Sequence, residues 1–165
     1  MATITLKGNT IHTNGELPKV GEKAKDFTLV KADMSRVTLS DFKGSRLVLN
    51  ISPSIDTSTC AASVHYFNKV ASGHDNTKIF YISRDLPFAQ SRFCGAEGLE
   101  NVITLSDFET GDFGKNYGLQ IIDGPLQGLD SRVVIIIDKE GIVTYTQQVR
   151  EIVDEPNYDE VLKNL

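Results

Sequence analysis

Leu47-Val48-Leu49-Asn50-Ile51-Ser52-Pro53-Ser54-Ile55-Asp56-Thr57-Ser58-Thr59-Cys60 decides the fold class and the candidate chemistry together. Its first five residues are a compact apolar run, which reads as a strand. A proline and a group of hydroxyl residues end that run and lead into a helix. There Cys60, Val64, Phe67 and Ala71 recur at spacings of four, three and four, one apolar face of a 3.6-residue period. The thiol of Cys60 thus falls in the first turn of a helix, where N–H groups without intrahelical acceptors carry positive partial charge. The thiolate, not the thiol, is the nucleophile, and such a helix end stabilises it. Thr57 offers a hydroxyl three positions earlier, and Pro53 constrains the approach and shields the site from water. Cys60 also begins the apolar face of Val64 and Phe67. Residue types alone therefore leave two readings open, a reactive thiol and a small hydrophobe filling core space.

Outward from this segment the chain alternates strands and helices. Thr3 to Leu6 and Thr10 to His12, joined by Lys7-Gly8-Asn9, predict an N-terminal β-hairpin. Gly15 to Lys25 is a loop, and Phe27 to Val30 and Val37 to Leu39 are short strands. Gly73 ends the Cys60 helix and Ile79 to Ile82 forms the next strand. Asp85-Leu86-Pro87 opens a short helix with a capping carboxylate and an early proline, and that helix stops at Cys94-Gly95. Val102 to Leu105 is a strand and Phe108 to Tyr117 a helix. Val133 to Ile137 and Ile142 to Val149 form a hairpin across Asp138-Lys139-Glu140-Gly141, and Pro156 starts a last helix. The order β-α-β then β-β-α predicts an α/β thioredoxin-like fold, a central mixed β-sheet flanked by helices. Sites of open α/β sheets gather beyond the carboxyl ends of the parallel strands, where Cys60 would sit.

With 165 residues and neither repeats nor a dividing linker, one domain spanning 1–165 is expected. A net charge of -5 gives no support to a general affinity for nucleic acid or for an anionic membrane. No apolar run approaches the ~20 residues of a membrane span, and the N-terminus lacks the pattern of a secretory signal, so a cytoplasmic location is expected. Two cysteines do not make a disulfide framework for a chain of this size, and at 34 positions apart they are no Cys-x-x-Cys motif. His12, His65 and His74 are scattered without ligand spacing, so no metal is expected. There is neither a phosphate-binding Gly-x-x-x-x-Gly-Lys-Ser/Thr loop nor a dinucleotide fingerprint, and no organic cofactor is expected.

Pro53-x-x-x-Thr57-x-x-Cys60 is similar to the active-site signature of the peroxiredoxins. The wider run from Ser52 to Val64 resembles their bacterial thiol peroxidase branch. So do Asp85-Leu86-Pro87-Phe88-Ala89-Gln90-Ser91-Arg92-Phe93-Cys94-Gly95-Ala96-Glu97-Gly98-Leu99, the run Asn101 to Ser106, Asp123-Gly124-Pro125-Leu126 and Ser131-Arg132-Val133-Val134. The likeness covers nearly the whole chain. It departs at Ser58-Thr59, where many relatives carry Gly-Val.

The resemblance implies a thiol-dependent peroxidase. Cys60 would be the peroxidatic cysteine, attacking a hydroperoxide, hydrogen peroxide or an alkyl hydroperoxide, to give a sulfenic acid. Pro53, Thr57 and Arg132 match the remaining active-site positions. If the Val133 strand runs antiparallel to its neighbours, Arg132 begins beside their carboxyl ends, near Cys60. The residues alone favour instead a solvated strand end paired with Asp130 or Asp138. Cys94 matches the resolving cysteine, closing an intramolecular Cys60–Cys94 disulfide that thioredoxin reduces. Local unwinding around both cysteines is expected. A homodimer is also implied, with Phe88, Phe93, Tyr117, Ile121 and Ile122 as candidate contacts. A redox-sensing protein with little turnover is the alternative, and catalytic recycling separates the two.

Overall fold

In a computed structural model that describes residues 1–165, the N-terminal hairpin pairs β1 (Thr3–Leu6) with β2 (Asn9–His12). The main sheet takes β3 (Thr28–Lys31), β4 (Arg36–Thr38), β5 (Arg46–Ile51), β6 (Thr77–Ser83), β7 (Val102–Ser106), β8 (Val133–Ile137) and β9 (Val143–Gln148). Their order across the sheet is β4-β3-β7-β6-β5-β8-β9. The central strands β5, β6 and β7 run parallel, and β3 and β8 flank them antiparallel. This is the mixed sheet that the strand-helix alternation predicts.

The apolar residues of the central strands alternate between two cores because side chains of a strand point to opposite faces in turn. Leu47, Leu49 and Ile51 of β5, Phe80 and Ile82 of β6, and Val133, Ile135 and Ile137 of β8 face one core. That core is completed by Phe27, Phe113 and Tyr117. Val48, Ile79, Tyr81, Val134 and Ile136 face the other. There they meet Val64 and Phe67 of α1 (Ser58–Ala71) and Val161 of α4 (Tyr158–Lys163), with Phe93 and Cys94 of α2 (Pro87–Glu97) packed at the margin. Each fully buried Val or Phe of α1 contributes roughly 1.5–3 kcal/mol. Packing of this face, rather than intrinsic helicity, holds α1 on the sheet.

Three local readings are corrected. α2 does not stop at Gly95 but runs on to Glu97, where Gly98 takes the left-handed conformation with φ of 66°. The carbonyl of Cys94 accepts the N–H groups of both Gly98 and Leu99, which folds the helix end around the cysteine. The helix expected over 108–117 shrinks to α3 (Asp112–Asn116). Gly111, at φ of 73°, keeps the preceding residues out of the helix, and the Asp107 carboxylate accepts the N–H groups of Phe113 and Gly114. Asp85 does not cap α2 either: Leu86 is the N-cap residue, and the Asp85 carboxylate turns elsewhere.

Candidate active site

The loop from β5 to α1 ends at Thr57, whose extended backbone makes it the N-cap of α1. Its hydroxyl oxygen accepts the backbone N–H of Cys60 at 3.2 Å, satisfying one of the helix's orphan donors. Thr57 in turn donates its own hydroxyl to the carbonyl of Ser54, so the turn is closed on both sides. Pro53, near the start of this loop, is buried. Cys60 itself is fully buried, 0% exposed. Its carbonyl accepts the Ser63 hydroxyl at 2.8 Å, and Ser63 accepts the Asn50 amide at 3.1 Å. This buried relay fixes the first turn of α1 to β5.

β8 pairs antiparallel with β5, with Ile51 opposite Val133. The start of β8 therefore lies at the carboxyl end of β5, and Arg132 arrives beside Cys60. Arg132 is only 2% exposed. Its Nη1 donates to Cys60 Sγ at 3.4 Å, and its Nε donates to the Ile152 carbonyl at 2.8 Å. The solvated strand end paired with Asp130 or Asp138 is thereby excluded. A guanidinium is well suited to this post because its rigid fork serves two diverging acceptors while keeping its charge. A buried cation thus lies against a sulfur in the first turn of a capped helix.

Several contributors were not singled out in the sequence. Ile152 and Val153 form a turn beside Arg132 and the start of α1: the carbonyl of Ile152 receives Arg132, and the carbonyl of Val153 receives the Thr59 hydroxyl at 2.8 Å. The Thr59 hydroxyl thus anchors this turn, giving the Ser58-Thr59 departure a physical role. Tyr81 lies below, its hydroxyl 2.7 Å from the Ser52 hydroxyl. Burial, reinforced by the proximity of Cys60, raises its phenol well above the ordinary range, so it stays protonated. None of these was visible locally, because each partner arrives from a distant strand or turn.

Cys94 lies near the end of α2, half-buried, and burial pushes its thiol up. Both thiols are free. His65 points away from Cys60, as its spacing predicts, and its Nε2 lies 3.3 Å from a carboxylate oxygen of Glu97 at the end of α2. Of the apolar residues considered as contacts, Tyr117 and Ile121 are core and unavailable, whereas Phe88 is 65% exposed. A half-enclosed cavity of 340 Å³ lies at the opposite end of the sheet, among Ala24, Phe42, Leu47 and Ile137. Neither cysteine lines it. No cluster of histidine, cysteine or carboxylate side chains is arranged to hold a metal, and no helix is long and apolar enough to cross a membrane.

Residues 19–162 match the family model described as Redoxin. The thiol peroxidases of Mycobacterium bovis and Mycobacterium tuberculosis are each 48% identical to this chain over 165 residues, covering 100% of it and 99% of the relative. Among solved structures, a peroxiredoxin-like protein from Aquifex aeolicus superposes with a TM-score of 0.93 at 40% identity, covering 99% of this chain and 95% of that one. A thiol peroxidase from Chromobacterium violaceum shares the fold with a TM-score of 0.91 at 23% identity, covering 98% of this chain and 93% of that one. A thioredoxin-like sheet with a capped cysteine, a buried arginine on its sulfur and full-length likeness to these proteins places the chain in the redoxin family, among the bacterial thiol peroxidases.

Proposed function

We propose that this thiol peroxidase reduces hydrogen peroxide and alkyl hydroperoxides through Cys60, with Cys94 as the resolving thiol and thioredoxin as the reductant. The observation that carries the reading is the 3.4 Å approach of Arg132 Nη1 to Cys60 Sγ on a helix end capped by Thr57. The Cys60 thiolate attacks the distal peroxide oxygen, and the O–O bond breaks heterolytically. One oxygen stays on sulfur as the sulfenic acid, and the other leaves with a proton as water or an alcohol. Arg132 stabilises the attacking thiolate and then the negative charge growing on the peroxide oxygens. Thr57 and Pro53 hold the loop around the substrate.

The Cys94 thiolate then attacks the sulfenic sulfur and expels hydroxide, which leaves as water after protonation, and a Cys60–Cys94 disulfide remains. A dithiol of the thioredoxin type takes over that bond by two exchange steps, ending as a disulfide itself. The bond requires Cα atoms within roughly 7 Å, and Cys60 Sγ is turned inward to Arg132. The first turn of α1 and the end of α2 therefore open for this step. A second copy of the chain is proposed to pack on the exposed Phe88 and Leu86 at the start of α2.

The test is thioredoxin-coupled consumption of hydrogen peroxide and cumene hydroperoxide by wild type, Cys60→Ser and Cys94→Ser, with mass spectrometry of the oxidised forms. Loss of turnover in Cys60→Ser and a trapped sulfenic acid in Cys94→Ser are expected. Unchanged activity in Cys60→Ser would end the peroxidase mechanism, and stoichiometric oxidation without recycling would favour the sensor.

A further inference from the structure

We infer that Asp85 is a latch that holds the Cys60 loop in its closed state, and that its release sets how often the sulfenic acid is captured by Cys94. This rests on the two-cysteine cycle proposed above. Asp85 sits between β6 and α2, immediately before the helix that carries Cys94. Its carboxylate does nothing for that helix. One oxygen accepts the Ser54 hydroxyl at 2.8 Å, and the other accepts the Ile55 N–H at 2.7 Å and the Ser83 hydroxyl at 2.7 Å. Ser54 and Ile55 belong to the loop that leads to Cys60. The carbonyl of Ser54 accepts both the backbone N–H and the hydroxyl of Thr57, the residue that caps Cys60. A single carboxylate thus fixes the turn on which the thiol's N-cap is built.

The other side of the latch is rigid. Ser83 belongs to β6, and its hydroxyl also accepts the Gln90 amide at 3.0 Å. The Asp85 carbonyl accepts the Ser106 hydroxyl of β7, and its N–H donates to Ser83. The residue is anchored to the sheet and reaches out to the loop, so the loop is the part that lets go. Two weaker links run between the same regions. Arg92 of α2 lies 3.5 Å from the Asp56 carboxylate, and His65 of α1 meets Glu97 at 3.3 Å. Both pairs are largely exposed, where ion pairs contribute little. The Asp85 contacts are charge-assisted and partly buried, the class in which a broken bond matters most.

Two requirements meet at this carboxylate. With the latch shut, Thr57 caps Cys60 and Arg132 holds its sulfur, which suits attack on peroxide. In that state Cys94 stays half-buried with its thiol pushed up, and is a poor nucleophile. With the latch open, the first turn of α1 can unwind and present the sulfenic sulfur to Cys94. A sulfenic acid that waits too long meets a second hydroperoxide, which transfers another oxygen to sulfur, giving the sulfinic acid and water or an alcohol. Latch strength therefore sets the division between disulfide and sulfinic acid.

The experiment follows one oxidation of the thioredoxin-free protein by rapid quench and mass spectrometry, over a range of hydrogen peroxide concentrations. Wild type, Asp85→Asn and Ser54→Ala are compared, together with Gly118→Ala as a control destabilised at the Glu16 backbone, away from α1 and α2. Asparagine keeps an acceptor for the Ile55 N–H but loses the charge, and its amide nitrogen accepts from no hydroxyl. Asp85→Asn is expected to form sulfenic acid more slowly, yet convert it to the disulfide about tenfold or more faster. The peroxide concentration that gives half sulfinic acid should rise by a similar factor. Ser54→Ala should show a smaller shift in the same direction and add little to Asp85→Asn. Gly118→Ala, merely less stable, should leave the division unchanged. A wild type that forms no Cys60–Cys94 disulfide overturns the cycle and the latch together. A wild type that forms it with the same disulfide-to-sulfinic ratio as Asp85→Asn and Ser54→Ala overturns the latch alone.

Discussion

Replacing Arg132 by glutamine tests whether the guanidinium does the work that its position suggests. The side chain is buried, and it spans from the Ile152 carbonyl at 2.8 Å to Cys60 Sγ at 3.4 Å. Glutamine is shorter and neutral and fills only part of that span. A hydrogen bond to a charged group contributes about 1.5–3 kcal/mol. If that energy is realised as peroxide attack proceeds, its loss slows the step by roughly 10- to 150-fold, at 1.36 kcal/mol per factor of ten. The Ile152 carbonyl also loses its partner, a destabilisation of about 1–3 kcal/mol, or roughly 2–4 °C in Tm per kcal/mol for a chain of this length. Arg132→Lys restores the charge but not the fork, so it should recover part of the rate. The assay is single-turnover stopped flow with excess hydrogen peroxide, alongside thermal denaturation. The rate must fall in the folded variant well below its melting transition. An Arg132→Gln protein that reacts within twofold of wild type would refute the assignment of charge stabilisation to this residue.

Further perturbations separate stability from chemistry. Thr57→Val removes the acceptor of the Cys60 N–H and should cost about 1 kcal/mol in denaturant unfolding, with Thr57→Ser restoring most of it. Asp130 is buried with neither carboxylate oxygen hydrogen-bonded, and burial, with the charge of Asp107 second and Arg84 opposing, holds its carboxyl well above the usual range. Here the folded state keeps a proton that the unfolded chain releases near pH 4, so stability falls as pH rises from about 4 toward the raised folded value. Asp130→Asn should raise the Tm at neutral pH and flatten that slope; an unchanged Tm–pH profile would contradict the reading. Gly118→Ala should destabilise by about 2 kcal/mol or more, because φ is 69° there and a Cβ would run into the backbone of Glu16. Its melting temperature is the check.

The active-site proposal was already legible in the order of residues from Leu47 to Cys60. An apolar strand, a break and a 3.6-residue period are local patterns, and so is a hydroxyl placed three residues before a cysteine. The same holds for the alternation of strands with helices, which predicts the mixed sheet. Local patterns misplaced the ends of elements where backbone conformation and capping bonds, rather than residue type, set the boundary. Gly95 reads as a stop, but the helix continues to Gly98, whose left-handed φ and shared bond to the Cys94 carbonyl end it. Phe108 to Tyr117 reads as one helix, but the Asp107 carboxylate and the left-handed Gly111 start it only at Asp112.

The sequence by itself determined the class of sheet and placed a thiol in the first turn of a helix with a hydroxyl three residues before it, because each depends on neighbours within a turn or a strand. Tertiary structure alone decided which side of β5 receives Arg132, 72 residues after Cys60, because that follows from the antiparallel register of β8. It likewise decided that Asp85 serves the Cys60 loop rather than its own helix, a contact across 30 or more residues. A carboxylate before a proline suits a helix cap in any local reading. Only the parallel pairing of β5 with β6, which sets their carboxyl ends side by side, brings donors that hold it more strongly.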